Sequence, residues 1–275
     1  MPENEICGEA GRRSGAGERM RPHFYTAADG LYTPTHLARS PWEKGKQNGV
    51  GLGGLAALLV EQTPALAPMA TTRLTIDILG AAPHAPTEGR TRIVREGKRI
   101  QLVDCELLVD GRPVARASAL RTRLAETPAY PEPQAYPQPE TVPEARFMDA
   151  RAFGGTMETR LVSGVLGEPG PKALWVRFGH EHVAGVPLSP LVRAASIADF
   201  GGGLGTMLDR REWTSANLDI TLHMTREPIG EWLLCDASTS SDGRGFARSD
   251  MVLADAQGPF GRAHQILFVA PVGGG

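Results

Sequence analysis

Two stretches of the chain combine small and apolar residues at the three- and four-residue spacing of a buried helix. The first covers Gly49 to Gln62 and stops before Pro64. The second starts at Ser189-Pro190, a favourable N-cap and first-turn pair, and we expect it to continue to about Leu208. The pattern therefore predicts two helices, both mostly buried.

After each predicted helix, alternating or β-branched residues indicate strands, and turn residues between them indicate a meander. Asp110-Gly111 and Gln257-Gly258 are typical turn pairs. The predicted strands are 71–79, 90–95, 99–109 and 114–123 in the first half, and 217–225, 231–238, 245–254 and 261–269 in the second. One helix followed by antiparallel strands predicts an α+β class, with each helix packed on one face of a sheet.

A proline-rich segment, 126–146, separates the two sets of elements and is predicted to be an extended linker. We expect a first domain over 22–125 and a second over 147–275, both of ordinary domain size. Residues 1–21 carry scattered charges and lack the apolar region of a signal peptide. We expect them to be a disordered leader, with Met20 as an alternative start of translation.

The two halves resemble each other in sequence as well as in element order. When Gly97-Lys98 is aligned with Gly243-Arg244, the flanking residues match with one insertion. On that alignment Ser118 lies opposite Gln265, and a second alignment on the prolines places Thr72 opposite Asn217. Similarity at such a long period indicates a duplicated domain rather than a solenoid.

Composition narrows the possible partners. The 275 residues contain 29 Lys and Arg against 31 Asp and Glu, with no long basic run, which argues against nucleic-acid binding. The longest uncharged apolar stretch, 47–60, is too short for a membrane span. Cys7, Cys105 and Cys235 are far apart and form no CxxC pair, so neither a disulfide framework nor a zinc site is indicated. We expect a cytoplasmic protein.

Both predicted helices contain glycines that lower helix propensity, by about 1 kcal/mol each relative to alanine. Glycine at such positions allows either close packing of the helix on the sheet or close approach of a ligand. Packing is the favoured explanation for most of them. The candidates for substrate contact are Gly53, Gly54, Gly201, Gly202 and Gly203.

Two segments, 31–59 and 216–265, resemble the double hot-dog acyl-CoA thioesterases of the type II class and their thioesterase-like relatives. The first contains Pro41-Trp42 before a glycine-rich helix, and the second contains GEWLL at 230–234 and GRG at 243–245. The resemblance extends over about 25–269. It implies a tandem hot-dog fold, in which each antiparallel sheet wraps around a central helix, and it implies an acyl-CoA substrate.

The same resemblance implies a catalytic centre made of an Asp, a Thr and a Gln. The matching residues here are Asp199, Asn217 and Gln265, so the Thr is replaced by Asn. Asp199 is the only acidic residue between Glu181 and Asp209, in a predicted buried helix, which marks it as a functional candidate. A carboxylate there can act as general base for water, while the two amides orient the water or the developing oxyanion. No cofactor is implied.

Other chemistries fit the residues less well. A hot-dog hydratase needs a His five residues after the Asp, where this chain has Leu204. His180 and His182 form a local pair without a third ligand nearby, so a solvated pair is favoured over a metal site. There is no GxSxG motif for an α/β-hydrolase, and the glycines near Gly51 lack the Lys-Ser/Thr of a phosphate loop.

The first half lacks an acid before Glu61 and has Ser118 opposite Gln265, so we expect it to form the pocket without catalysing the reaction. One active centre between the two units is then expected, with an apolar tunnel for the acyl chain. The alternative is a non-catalytic acyl-CoA or lipid-binding module, which the Asn at 217 favours. By analogy with the family, a homo-oligomer (dimer or larger) is expected.

Overall fold

A computed structural model describes residues 21–149 and 153–273. The predicted leader therefore lies outside the described residues, except for Arg21. In the first half, the strands are β1 His23–Ala28, β2 Leu31–Pro34, β3 Met69–Ile78, β4 Thr87–Arg95, β5 Ile100–Val109 and β6 Arg112–Arg123, and the helix is α1 Gly49–Gln62. In the second half, the strands are β7 Met157–Ser163, β8 Lys172–Phe178, β9 Glu181–Val183, β10 Trp213–Asn217, β11 Asp219–Met224, β12 Trp232–Ser240, β13 Phe246–Asp255 and β14 Gly258–Pro271, and the helices are α2 Pro190–Ala198 and α3 Gly201–Leu204.

Helix α1 has the predicted bounds because its ends are specified locally. The side chain of Asn48, at the N-cap, accepts a hydrogen bond from the N–H of Gly51 at 2.7 Å. Pro64 lies two residues beyond the last helical residue and disfavours continuation. Almost every residue of α1 is buried, as the apolar pattern predicted.

The second helix begins as predicted but ends early. Ser189 caps α2 by accepting from the N–H of Val192 at 3.1 Å. The helix stops at Ala198, and a separate short helix α3 follows, so the predicted continuation to Leu208 is wrong. Consecutive glycines after Phe200 weaken the helix. In addition, the N–H of Gly202 donates to a side chain on β14 and not to a helical carbonyl.

Within the described residues the strands form one sheet, which joins both halves of the chain. The order is β7-β8-β12-β13-β14-β11-β3-β6-β5-β4-β2-β1-β9, with β10 also paired to β14. The halves meet where β3 and β11 pair antiparallel, with Thr75 opposite Thr221. Helices α1 and α2 pack against each other and against the inner face of this sheet. The α+β class predicted from the sequence is confirmed.

Several strand predictions need correction. The predicted strand 217–225 is interrupted at Leu218, which separates β10 from β11 and is exposed. Strands β1, β2, β7, β8 and β9 were not predicted. Two of them, β1 and β9, are short and pair with each other in parallel across the halves, with His23 opposite Glu181. Such strands show no hydrophobic alternation long enough to detect.

The alignment of Ser118 with Gln265 is off by one residue. Gln265 is completely buried on the inner face of β14, whereas Ser118 is only partly buried and lies between the buried Ala117 and Ala119. A one-residue shift along a strand moves a side chain to the other face of the sheet. Ala119 is therefore the residue of β6 that faces inward as Gln265 does on β14.

The proline-rich segment lies across the outer face of the second half. The indole N–H of Trp175, on β8, donates to the carbonyl of Pro137 at 2.9 Å. The hydroxyl of Tyr136 donates to the carboxylate of Asp236 at 2.9 Å, and Val142 is buried against Trp175. These contacts show that the segment is packed on the sheet, and it contains a short 3₁₀ helix, Pro139–Thr141.

Both cysteines in the described residues, Cys105 and Cys235, are buried and free. Burial raises the pKa of the Cys105 thiol to about 12. In the part of the chain that the structure describes, no helix has the length and apolarity needed to cross a membrane.

Candidate active site

Asp199 lies between α2 and α3, and its carboxylate reaches the N-terminus of α1. There the backbone N–H of Val50 favours the charged carboxylate and lowers its pKa, against the larger effect of burial. Gly49 leaves the space for this contact, because a Cβ at that position would lie 2.4 Å from Oδ1 of Asp199. The first half therefore contributes directly to the surroundings of the candidate base, through the positive end of its central helix.

Asn217, the last residue of β10, is the side-chain partner of Asp199. Its Nδ2 donates to Oδ1 of Asp199 at 2.8 Å. The strand positions this amide because β10 pairs with β14, with Asn217 opposite Leu267. The amide thus holds one carboxylate oxygen in a fixed orientation.

Gln265 lies beside the same residues but contacts the main chain. Its Oε1 accepts from the N–H of Gly202 at 2.8 Å, and its Nε2 donates to the backbone carbonyl of Asp199 at 3.3 Å. It is 0% exposed. Its amide therefore fixes the backbone at the break between α2 and α3 and does not touch the Asp199 carboxylate.

Burial raises the pKa of Asp199 to about 7, against the opposing effects of the hydrogen bonds from Asn217 and from the Val50 N–H. An aspartate with this pKa takes up and releases a proton near neutral pH, which is the property required of a general base.

A cavity of about 720 Å³ opens next to Asp199 and Asn217. Residues from both halves line it, including Asn48 and Val50 from the first. Gln265 is not part of its lining. The structure therefore brings the three predicted residues together, with two of them on the cavity wall and the third behind it.

The candidate glycines divide into two groups. Gly53, Gly54 and Gly201 pack against the core; a Cβ on Gly54 would lie 2.1 Å from Cε1 of His182, and one on Gly201 would lie 2.3 Å from Sδ of Met251. Close packing explains Gly54 and Gly201, whereas a Cβ on Gly53 would make only an ordinary contact, 3.5 Å from Cδ1 of Ile76. None of the three lines the cavity, and their contact with substrate stays a prediction. Gly202 and Gly203 do line the cavity.

His180 and His182 are both buried, so the prediction of a solvated pair is wrong. Nε2 of His182 donates to the carbonyl of Gly51 at 2.8 Å, and Nδ1 of His180 lies 2.7 Å from the hydroxyl of Thr156. Burial lowers the pKa of His180 to about 3 and that of His182 to about 4, so both rings are neutral. Among the described residues, no group of three or more His, Cys, Asp or Glu is placed to hold a metal ion.

Several cavity residues were not found by sequence reasoning. Trp42 and Trp213 line the cavity and keep substantial exposure, at 67% and 41%. Arg210 lines it as well, with its guanidinium 5.5 Å from the centre of the Trp42 ring. These residues lie in irregular segments or at strand ends, where the sequence pattern gave no signal for a binding site. The one usable signal was the general preference of tryptophan for partly exposed binding surfaces, and the scatter of the four tryptophans along the chain obscured it.

A sheet wrapped around two central helices, with a partly buried carboxylate at one helix N-terminus, agrees with the tandem hot-dog fold that the sequence resemblance implied. Family models give the more specific assignment. The model of the acyl-CoA thioesterase N-terminal domain matches residues 38–122, and that of the C-terminal domain matches residues 129–269. These matches cover most of the chain, so the protein belongs to the acyl-CoA thioesterase family and is a thioester hydrolase.

Solved structures with the same fold share little sequence. A hot-dog protein of unknown function from Alicyclobacillus acidocaldarius has 16% identity and a TM-score of 0.72, covering 89% of this chain and 95% of its own. The acyl-CoA thioesterase II TesB2 of Mycobacterium marinum has 16% identity and a TM-score of 0.67, covering 91% and 95%. At this identity the similarity shows the tandem hot-dog fold alone. A search of curated proteins gave no match.

Proposed function

We propose that the protein hydrolyses an acyl-CoA to the free acid and CoA, with Asp199 as the general base. The observation that carries this proposal is a carboxylate with a pKa of about 7 on the wall of a large cavity, held by Asn217 and by the N-terminus of α1. A thioester carbonyl is electrophilic enough that water can attack it without a covalent enzyme intermediate.

In the proposed reaction, Asp199 removes a proton from a water molecule while the water oxygen attacks the thioester carbonyl carbon. The carbonyl oxygen becomes an oxyanion near the positive end of α1, which stabilises negative charge. The carbon–sulfur bond then breaks as the carbonyl re-forms. The departing thiolate takes the proton from Asp199, which restores the carboxylate and releases the thiol and the acid.

Asn217 performs the proposed positioning role through its N–H. A threonine hydroxyl at this position would donate one hydrogen bond to the carboxylate, and the amide of Asn217 donates one at 2.8 Å. Nδ2 also donates to the backbone carbonyl of Asp199 at 3.4 Å, and the amide oxygen is left to bind water. The replacement of Thr by Asn is therefore compatible with turnover.

Gln265 is proposed to act as a positioning residue through the backbone. Its amide forms hydrogen bonds with the N–H of Gly202 and with the carbonyl of Asp199. These bonds fix the backbone of Asp199 and therefore the position of its Cα. Removal of Gln265 would leave the buried N–H of Gly202 without this partner, which costs about 1–3 kcal/mol. We expect that loss to displace the carboxylate from the α1 terminus.

The test is release of free thiol from short-, medium- and long-chain acyl-CoAs, with binding of the same compounds measured in parallel. Turnover by the intact protein, reduced by orders of magnitude in Asp199→Ala, supports the proposal. If the protein binds acyl-CoA but releases no thiol across the panel, the non-catalytic binding module replaces it. A role in lipid metabolism, the cytoplasmic location and the homo-oligomer stay predictions.

A further inference from the structure

Two side chains from opposite halves of the chain lie at the exposed edge of the cavity of about 720 Å³. Trp42, from the first half, is 67% exposed. Arg210, from the second half, is exposed as well, and its guanidinium carbon lies 5.5 Å from the centre of the Trp42 ring. We call these two side chains the rim pair. The rim pair joins the two halves at the place where the cavity meets solvent.

The backbone of Trp42 is fixed although its ring is exposed. The hydroxyl of Ser40 accepts a hydrogen bond from the N–H of Trp42 at 3.2 Å. The N–H of Ser40 donates to the carbonyl of Lys46 at 2.8 Å, which closes the loop between them. At the base of this loop, the buried side chain of Gln47 accepts from the hydroxyl of Tyr25 at 2.8 Å. The loop therefore presents an exposed indole ring at a fixed place on the cavity edge.

Arg210 is attached to the opposite wall of the site. Its Nη2 donates to the carbonyl of Gly203, in α3, and Gly203 also lines the cavity. Arg211, the next residue, pairs with Asp209 at 3.0 Å, whereas among the described residues no carboxylate pairs with Arg210. The guanidinium is thus left to interact with the Gly203 carbonyl and with the Trp42 ring, as a cation does over an aromatic face.

The surroundings of the rim pair suit a ligand that reaches from the cavity to solvent. Further in, the cavity walls include the buried apolar side chains of Val50, Leu52 and Phe200. A ligand long enough to pass from these walls to solvent must cross the exposed edge, where it would cover the indole ring. Covering an aromatic ring is among the larger single contributions to binding. Trp42 is therefore placed to hold such a ligand.

We propose that Trp42 is a substrate-contacting residue that determines how tightly the acyl-CoA is held, and that Arg210 is its positioning residue. The proposal rests on the proposed function, because it takes an acyl-CoA bound at Asp199 as the ligand. The carboxylate of Asp199 is held by Asn217 and not by the rim pair, so the pair contributes equally to the ground state and the transition state. Its loss should raise KM and leave kcat nearly unchanged.

The first test is steady-state thiol release from octanoyl-CoA by the intact protein. We expect Trp42→Ala to raise KM about tenfold and to keep kcat within about twofold. Trp42→Phe keeps an aromatic ring and should recover most of that loss. Arg177→Gln is the matched control, because the Arg177 guanidinium lies 5.3 Å from the centre of the Trp232 ring and neither residue lines the cavity. This control should leave both constants unchanged.

A double-mutant cycle tests the link between the two residues. We expect Arg210→Gln alone to raise KM about threefold, because an exposed cation–π contact is weak. In the Trp42→Ala background the same change should have a smaller effect, since the partner ring is gone. Equal effects in both backgrounds would overturn the positioning role of Arg210. Both side chains are exposed, so their replacement leaves the core intact, and thermal unfolding of each variant checks this.

A binding measurement separates this proposal from the proposed function. In Asp199→Asn, whose turnover we expect to be slow, calorimetry measures the affinity for octanoyl-CoA with and without Trp42→Ala. An affinity about tenfold weaker with Trp42→Ala supports the contact even if the wild-type protein releases no thiol. Failure of thiol release alone therefore overturns only the proposed function.

Two results would overturn the contact itself. The first is that, in the Asp199→Asn background, Trp42→Ala binds octanoyl-CoA as tightly as Arg177→Gln does. The second is that Trp42→Ala, in the otherwise wild-type protein, lowers kcat while KM stays unchanged, which would place the effect of Trp42 on the reaction step and not on binding.

Discussion

The two central helices each receive a carboxylate from the other half at the N-terminus. Asp199 lies at the start of α1, where the N–H of Val50 lowers its pKa. Glu61, near the end of α1, accepts from the hydroxyl of Ser189 at the start of α2, where the N–H of Leu191 lowers its pKa. Burial raises the pKa of both carboxyl groups. The same interaction with a helix terminus thus occurs twice in the molecule.

The surroundings of the two carboxylates differ. Asp199 lines the 720 Å³ cavity and is held by the amide of Asn217. Glu61 does not line this cavity, and its side-chain partner is the N-cap hydroxyl of Ser189. A partly buried carboxylate at a helix terminus is therefore not sufficient for the proposed reaction. Access for water and substrate distinguishes the active position from the structural one.

The largest expected effect is the loss of kcat when Asp199 is neutralised, with neutralisation of Glu61 as the control. Asp199→Asn keeps the shape of the side chain but removes the base, so we expect kcat to fall about 10²–10⁴-fold. Glu61→Gln, the matched control, should keep kcat within about threefold, because no reacting atom is assigned near it. Steady-state thiol release from one acyl-CoA measures both. Equal losses in the two variants would mean that the helix contacts, and not the base, determine the rate.

The second prediction concerns stability. The folded-state pKa of Asp199, about 7, lies above the ordinary aspartate value, so the folded state binds the proton more tightly than the unfolded state. The contribution of Asp199 to stability is therefore complete below about pH 4 and is lost as pH rises through about 7. We expect Asp199→Asn to be more stable than wild type above pH 7, by at most about 4 kcal/mol, with little difference at pH 4.

Urea unfolding at both pH values measures this difference. Glu61→Gln should gain less, because the hydrogen bond from the Ser189 hydroxyl opposes the effect of burial on the pKa of Glu61. A variant of Asp199 that is less stable than wild type at high pH would contradict the raised pKa.

A smaller effect is expected at Asn217. Asn217→Leu removes the hydrogen bond to Asp199 while keeping a similar volume, so we expect about a tenfold loss of kcat. Asn217→Thr restores a donor and should retain most of the activity. Activities of the two variants that differ by less than twofold would show that the hydrogen bond does not contribute to the rate.

The smallest effect is expected at Ser189. Ser189→Ala removes both the N-cap of α2 and the hydroxyl that donates to Glu61, and we expect a loss of about 1 kcal/mol in unfolding free energy. Thermal unfolding measures this loss. Because the site at α2 is structural in this account, kcat should stay within about twofold of wild type, and a larger change would show that the two helix ends are coupled.

Local signals predicted part of this fold. Helix α1 and the hairpin turns were predicted correctly because caps, prolines and Asp-Gly pairs act within a few residues. Helix α2 ended early because a side chain from β14 captures the N–H of Gly202, a contact between segments distant in sequence. The parallel pair of β1 and β9 was missed for the same reason.

For the candidate site, the sequence predicted the key residue but not its contacts with the other half of the chain. Asp199 was identifiable as a single acid in an apolar helix. Its contact with Gly49 and Val50 was not, because nothing near Asp199 in the sequence indicates that the first helix begins beside it. The aromatic cavity wall formed by Trp42 and Trp213 depends on the same assembly of the two halves.

The most direct test of the assignment of Asp199 is the pH dependence of kcat/KM for one acyl-CoA between pH 5 and pH 9. A base must be ionised, so we expect kcat/KM to rise about tenfold per pH unit below the pKa of Asp199, about 7, and to level off above it. In Asp199→Asn the residual activity should lack this transition. A wild-type profile that is flat from pH 5 to pH 8, or a transition near pH 7 that persists in Asp199→Asn, would contradict the role of Asp199 as the base.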